Sequence, residues 1–300
     1  MHARLTPTAA LLLTLPPLLW AGNAVVGRLL SELISPMTLN FLRWLLALAL
    51  LLPLAGGVLR PGSLLWPHWR RFSMLGLLSV GAYNALLYLA LTTSTPINVT
   101  LVGSSMPVWT LLIGRLFFAV PISRRQWLGA ALSITGVMLV LCRGQLDLLL
   151  QVRLVPGDVY ILMASAGWAY YSWMLARPTT EPESIRSDWS AFLLAQMAFG
   201  LVWSALFAGG EWALDRAHVH WGWHLVTALI FIAVGPALIA YRAWGAGVAR
   251  AGPAAAGFFI NLTPLFTALL SSAFLGETPR LYHAMAFTLI VGGIVVSSRR

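Results

Sequence analysis

The sequence predicts an all-α polytopic membrane protein with ten transmembrane helices arranged as two inverted five-helix repeats. Three observations predict it: an apolar composition, ten long apolar runs, and an internal echo between the two halves. Hydrophobic residues make up 59% of the 300 residues and charged residues only 9%, with a mean hydropathy of +0.81. A water-soluble domain carries about 25% charged residues, and no soluble surface can be built from this chain.

Apolar runs of roughly 17 to 25 residues cross the roughly 30 Å hydrocarbon layer as helices, because only a helix satisfies its own backbone amides there. Ten such runs fall at 7–28, 36–56, 72–93, 98–119, 126–142, 157–177, 189–208, 223–246, 253–275 and 281–298. Arg4 followed by apolar residues as far as Trp20 has the look of a secretory signal. The run continues past any small-residue cleavage site and nine more follow, so it reads as the first span.

All nineteen basic residues are arginines, and their net excess of +10 would suggest nucleic acid in a soluble chain. Here they sit in the gaps between apolar runs, which the positive-inside rule accounts for, so no nucleic-acid partner is expected. Placing the N-terminus inside puts Arg4, Arg60, Arg70, Arg71, Arg124, Arg125, Arg177, Arg186, Arg250, Arg299 and Arg300 in the cytoplasm, and Arg28, Arg143, Arg153, Arg216 and Arg280 outside. Both termini are therefore expected in the cytoplasm. The single cysteine, Cys142, excludes an intramolecular disulfide and a thiolate metal cluster, and no metal or cofactor is expected.

The polar stretch from Arg143 to Pro156 divides the chain near its middle into residues 1–146 and 147–300. A shift of 157 residues superposes Pro96 on Pro253, Pro107 on Pro264, Thr110 on Thr267, Leu112 on Leu269, Phe117 on Phe274, Leu132 on Leu289 and Gly136 on Gly293. A shift of 148 pairs Trp20 with Trp168 and Ala21 with Ala169. Five helices per copy is an odd number, so the second copy enters the membrane upside down, and the interface between copies is where an alternating-access site belongs.

Particular residues carry a resemblance. Trp20-Ala21-Gly22-Asn23 and Gly167-Trp168-Ala169-Tyr170 open the two halves, Ala240-Tyr241-Arg242-Ala243-Trp244 follows, and Asn261-Leu262-Thr263-Pro264 leads to Leu275-Gly276-Glu277. In these motifs, over nearly its whole length, the chain resembles the drug/metabolite transporter superfamily, in particular its tandem-repeat ten-helix metabolite exporters of the EamA-like kind. The second half is most similar to aromatic amino-acid exporters. The first half departs from the pattern, with Ala119-Val120-Pro121 where the second has Gly276-Glu277-Thr278. The resemblance implies an exporter in the bacterial inner membrane, working without a cofactor on a small-molecule substrate.

Candidate site residues follow from polarity inside apolar spans. Trp20 and Asn23 share one face of the first helix, and Trp168 and Tyr171 repeat that spacing on the sixth. An amide in hydrocarbon needs a partner or a wet cavity, so these four either line a central pocket or pack between helices. Tyr83, Asn84, Ser104 and Asn261 extend the set, and each is open to the same two readings. Together they outline a cavity between the first, third, fourth, sixth, eighth and ninth helices. Pro107 and Pro264 fall near the middle of the fourth and ninth spans, where each breaks a backbone hydrogen bond and bends its helix, as a hinge or as a static kink.

Arg115 and Arg242 are expected to snorkel to the cytoplasmic interface. Arg43 lies deeper, where it meets an anionic group or bonds helix carbonyls. Trp66, Trp69, Trp127, Trp189, Trp212, Trp221 and Trp223 cluster at span ends as an aromatic belt, and Gly129, Gly136, Gly292 and Gly293 read as close helix packing.

All nine acids fall in loops or at helix ends by these spans, so a carboxylate that trades protons for cations in mid-membrane is not expected. Paired Ser/His, paired Asp and HExxH arrangements for an intramembrane protease are absent from the sequence as well. The reading is export of aromatic and other neutral amino acids by uniport, with one chain sufficient because it holds both repeats. A nucleotide-sugar or sugar-phosphate exchanger, needing two or more deep cations, and a non-transporting membrane enzyme or scaffold are the alternatives.

Overall fold

The computed structural model describes residues 5–30, 32–93, 102–142, 144–145, 147, 155–177, 181–275 and 281–298. Arg4, Pro96, Arg143, Arg153, Gly276, Glu277, Thr278, Arg280, Arg299 and Arg300, all used in reading the sequence, lie outside these residues. The described residues are helical apart from connecting segments and one isolated bridge between Ile34 and Val219.

Ten helical rods are labelled in chain order. Helix α1 spans Pro7–Leu29 and α2 spans Pro36–Ala55. Helix α3 is continuous over 69–93, with a wider, π-helical stretch at Leu77–Ala82. Helices α4, α5, α6 and α7 are Met106–Phe118, Arg124–Leu141, Pro156–Ala176 and Trp189–Ala213. Helix α8 is Trp223–Ala251, again with a π-helical stretch, at Ala233–Ile239. Helix α9 is in two pieces, Pro253–Phe259 and Leu262–Leu275, and α10 is Leu281–Ser298.

Among the described residues six helices are long and apolar enough to cross a membrane: Pro7–Gly27, Pro36–Leu59, Trp189–Ala213, Trp223–Ala251, Pro253–Leu270 and Leu281–Ser298. The runs led to an expectation of ten crossings, and these six of the ten rods reach that length and hydropathy among the described residues. Helices α3 and α5 open on arginine pairs, α6 carries Asp158, Ser165 and Ser172 within its length, and α4 is a short apolar rod. Helix α8 also runs on to Ala251, past the end at 246 that the sequence suggested, because Arg250 and its neighbours continue the helix beyond the apolar run.

Several helix starts are set by short-range chemistry. Ser123 and Gln126 form a reciprocal capping box on α5, with Gln126 N donating to Ser123 Oγ at 3.2 Å and Ser123 N donating to Gln126 Oε1 at 2.8 Å. Asp188 caps α7 by accepting from Ser190 N at 2.9 Å and Ala191 N at 3.3 Å. The Ser190 hydroxyl, with those amides, holds the Asp188 carboxyl below the usual carboxylate range. Helix α2 is capped from another helix: Glu211, near the end of α7, accepts from Met37 N, Thr38 N, Thr38 Oγ1 and Ser35 Oγ at 2.7 to 3.1 Å. A carboxylate there satisfies orphan amides and complements the positive end of the helix dipole.

In a bilayer, helices associate through close packing and interhelical hydrogen bonds, since lipid tails are as apolar as leucine. Helix α5 lies on α10 with almost no space between backbones. A Cβ on Gly129 would come within 2.6 Å of the Gly293 carbonyl, and one on Gly136 within 2.9 Å of the Ala286 carbonyl. Seven residues forward along α5 correspond to seven residues back along α10, so the two helices run antiparallel. Helices α2 and α7 are also antiparallel, Asn40 meeting Ser204 while Thr38 meets Glu211 and Trp212. The remaining packings come in matched pairs: α1 rests on α8 and α9, and α6 rests on α3 and α4.

The two ends of the bundle are tied differently. At one end, Ser35 N donates to His218 O at 3.0 Å and His220 N to Leu33 O at 2.7 Å, joining the α1–α2 and α7–α8 connections. At the other, Arg71 at the start of α3 pairs with Glu181 at 2.7 Å and donates to the carbonyls of Met174 and Arg177, which end α6. The seven tryptophans read as a belt are all exposed.

Candidate functional site

Five helices, three from the first half and two from the second, converge on one group of rings. Trp168 on α6 is the hub, only 3% exposed. Its ring centroid lies 5.3 Å from Trp20 on α1, 5.3 Å from Tyr83 on α3, 5.1 Å from Tyr171 one turn along α6, and 5.6 and 5.8 Å from Tyr241 and Trp244 on α8. Trp44 on α2 joins through Tyr241 at 4.9 Å. Most of these contacts are edge-to-face or tilted, the arrangements that ring quadrupoles favour.

The π-helical stretches explain how the group is held. A π turn carries one residue more than an α turn and leaves carbonyls out of the regular ladder, and such turns are frequent at functional sites. In α3, Ser79 O accepts from Tyr241 Oη at 2.8 Å and Val80 O from Asn40 Nδ2 at 3.2 Å. In α8, Pro236 O accepts from Trp20 Nε1 at 3.2 Å. Ser79 and Pro236 stand in the same relation as the repeat residues, 157 apart, so each half offers an equivalent carbonyl to an aromatic donor from elsewhere in the bundle.

Of the residues singled out from the sequence, Trp20, Tyr83, Trp168 and Tyr171 come together in this ring group. Asn23 is half-buried one turn further along α1. The other polar candidates sit in interhelical knots. Asn84 Nδ2 donates to Asn40 Oδ1 at 3.2 Å, and Asn40 donates on to Ser204 at 2.9 Å, so α3, α2 and α7 are joined. Asn261 Nδ2 donates to Ser104 O at 3.2 Å and to Ser133 Oγ at 3.0 Å, joining the turn within α9 to α4 and α5. These amides are buried and hydrogen-bonded between helices.

The breaks in the fourth and ninth rods fall ahead of the prolines. The chain leaves regular helix at Ser104–Ser105 and at Ile260–Asn261, and Pro107 and Pro264 lie in the first turn of the helix that follows. Pro264 cannot donate to Ile260 O, which takes Thr263 N instead at 2.9 Å.

The sequence reading left Tyr241, Trp244, Trp44 and Asn40 out of the site. Tyr241 and Trp244 had a signal, two aromatics three residues apart on one face of α8. Trp44 and Asn40 lie in an apolar run with no matching residue in the other half. Arg43 is buried, 5% exposed, with Cζ 5.1 Å above the Trp44 ring. Arg242 is exposed and stacks 4.2 Å over Trp189 at the start of α7, and Arg115 is exposed too, as snorkelling requires.

The indole nitrogens of Trp44 and Trp168 are buried without a hydrogen-bond acceptor among the described residues. Leaving a buried donor unmatched costs about 1 to 3 kcal/mol.

A bundle of apolar helices enclosing an aromatic group drawn from both halves defines a polytopic membrane protein with a central candidate site. A family model described as the EamA-like transporter family matches this chain twice, over residues 7–142 and 155–299. The chain belongs to the EamA-like transporter family. It is similar to an uncharacterized transporter of Archaeoglobus fulgidus, 25% identical over 97% of both chains. It is also similar to the aromatic amino acid exporter YddG of Ancylobacter novellus, 24% identical over 78% of this chain and 76% of that one. One solved protein structure shares the fold with a TM-score of 0.72 over 96% of each chain at 22% identity.

Proposed function

We propose that this membrane transporter exports neutral amino acids, aromatic ones favoured, across the bacterial inner membrane by alternating access, acting as a monomer with both termini in the cytoplasm. The observation that carries the reading is the ring group around Trp168, to which α1, α3, α6 and α8 all contribute. Aromatic walls suit an aromatic or other apolar side chain, and the Ancylobacter relative is an exporter of aromatic amino acids.

The antiparallel running of α5 against α10 and of α2 against α7 supports two inverted repeats, as does the double match of the family model. The breaks at Ser104–Ser105 and Ile260–Asn261, with Pro107 and Pro264 behind them, are the hinges in this reading. Among the described residues the acids lie at helix ends or between helices, which favours transport without proton exchange. Arg43 is the one buried arginine among the described side chains, which disfavours a sugar-phosphate exchanger needing at least two deep cations.

Counterflow of labelled phenylalanine in proteoliposomes, with and without a pH gradient, tests the proposal. Flux that is independent of the gradient, and lost in Trp20→Ala and Trp168→Ala while the folded yield is kept, is the expected result. Loss of folded protein in both variants would return the rings to a packing role. Pro107→Ala and Pro264→Ala are expected to lower turnover more than they weaken binding.

A further inference from the structure

Away from the ring group, α3 and α7 frame a groove of about 230 Å³ lined by Trp69, Arg70, Ser73, Met74, Leu77 and Trp203. The two helices touch backbone to backbone, since a Cβ on Gly76 would lie 2.5 Å from the Gln196 carbonyl and 2.6 Å from the Gly200 amide. Trp203 Nε1 donates to Ser73 Oγ at 3.2 Å, which sets the indole as a wall of the groove. Trp69, Arg70 and Met74 are exposed. A pocket that encloses a small ligand holds about 300 to 1,000 Å³. This one is smaller and open on its outer side, which suits a chain laid against it rather than an enclosed metabolite.

Lipid covers the outer surface of a membrane helix everywhere, so what distinguishes this groove is its charge. The ion pairs among the described residues join Arg71 to Glu181 and Arg186 to Glu183, and Arg70 is in neither. Its guanidinium lies 5.7 Å from the ring centroid of Trp69, an aromatic of the kind that sits at headgroup level. From Arg70 to Leu77 helix α3 rises about 10 Å, which carries the groove from that level into the apolar part of the rod. We propose that the groove binds an anionic phospholipid, the Arg70 guanidinium holding its phosphate and Met74, Leu77 and Trp203 taking the first part of one acyl chain. The guanidinium fork matches phosphate oxygens, and basic pockets between transmembrane helices bind anionic headgroups. A zwitterionic lipid offers the same phosphate but brings its own ammonium beside Arg70, so net charge selects the anionic headgroup.

Native mass spectrometry of the full chain in detergent, titrated with phosphatidylglycerol and with phosphatidylcholine, tests the site. The wild-type protein should retain phosphatidylglycerol about fivefold more tightly, the preference that one arginine near a membrane surface supplies. Arg70→Gln should remove that preference, and Arg70→Lys, which keeps the charge but not the fork, should retain part of it. Arg124→Gln takes another exposed arginine from the start of a different helix and should leave the preference intact. Met74→Trp puts a bulky ring into the groove without touching the charge, and should weaken retention of both lipids.

A lipid bound across α3 and α7 also stabilises the folded chain by mass action, so phosphatidylglycerol should raise the melting temperature of the wild-type protein more than that of Arg70→Gln. Inorganic phosphate supplies the charge without the chain and should give no such shift. Equal retention of the two lipids by the wild-type protein, equal loss of preference in Arg70→Gln and Arg124→Gln, or full protection by inorganic phosphate alone would each overturn the proposal. If Arg70→Gln gives no folded protein, undiminished binding in both Met74→Trp and Arg70→Lys overturns it.

Discussion

Asn261 and Ser104 occupy the same place in the two halves of the chain, 157 residues apart, and are hydrogen-bonded to each other, the Asn261 amide donating to the Ser104 carbonyl at 3.2 Å. Both residues sit at the break in their own helix. The bond therefore joins the two interruptions, and Ser133 on α5 takes the second amide hydrogen. Removing the amide leaves a buried carbonyl and a buried hydroxyl without that donor. Asn261→Ala is expected to destabilise the protein by about 1 to 3 kcal/mol, measured by reversible unfolding in mixed micelles, and Ser133→Ala by less because one of the two bonds survives.

Two adjacent glycines on α10 give a test with its own control. A Cβ on Gly293 would lie 2.6 Å from the Gly129 carbonyl and 3.0 Å from the Ser133 amide, both backbone atoms that move only if the helices separate. One on Gly292 would meet nothing within 4 Å. Gly293→Ala is expected to cost about 1 to 3 kcal/mol, whereas Gly292→Ala should be neutral or slightly stabilising because alanine favours helix. Equal unfolding midpoints for the two variants would show that α5 and α10 do not pack this closely.

Ala119 ends α4 with φ at 53°, a left-handed conformation that strains any residue with a Cβ. Its counterpart 157 residues on is Gly276, the residue that suits such a position. Ala119→Gly is therefore expected to stabilise the protein by about 1 kcal/mol, seen as a higher melting temperature with transport unchanged. A lower melting temperature would mean that the strain is absent.

Arg71 performs two tasks, pairing with Glu181 and closing the end of α6 through the carbonyls of Met174 and Arg177. Glu181 is the more buried partner, with 1% of its side chain exposed against 15% for Arg71. Arg71→Ala removes the charged donor to Glu181 and frees two carbonyls, so it should cost about 1 to 3 kcal/mol. Glu181→Gln keeps a polar acceptor and both carbonyl bonds and should cost clearly less. The unfolding free energies of the two single variants decide the order.

The sequence made the apolar rods visible and hid the distortions within them. Helix α2 occupies Pro36–Ala55 where its apolar run indicated 36–56, because a run bounded by Ser35 and Gly56 has few other places to stop. Trp20 and Trp168, which meet in the ring group, were legible as a pair because large aromatics beside small residues recur at the same point in both halves. Asn84 and Asn261 were legible as buried but not as knots, since an amide's partner depends on which helices touch. The breaks in α4 and α9 lay ahead of Pro107 and Pro264 rather than on them, because a proline disturbs the turn that precedes it. Asn40 and Trp44 carried no signal, as neither periodicity nor repetition marks them.

The widened turns at Leu77–Ala82 and Ala233–Ile239 also preserve the angular phase of everything downstream on α3 and α8. A π turn absorbs one extra residue within a single turn, so deleting one residue inside either stretch would let the rod close into an ordinary helix with its far part still in phase. Tyr83 on one rod, and Tyr241 and Trp244 on the other, would still face Trp168, but the carbonyls of Ser79 and Pro236 would be drawn into the helix ladder and away from Tyr241 and Trp20.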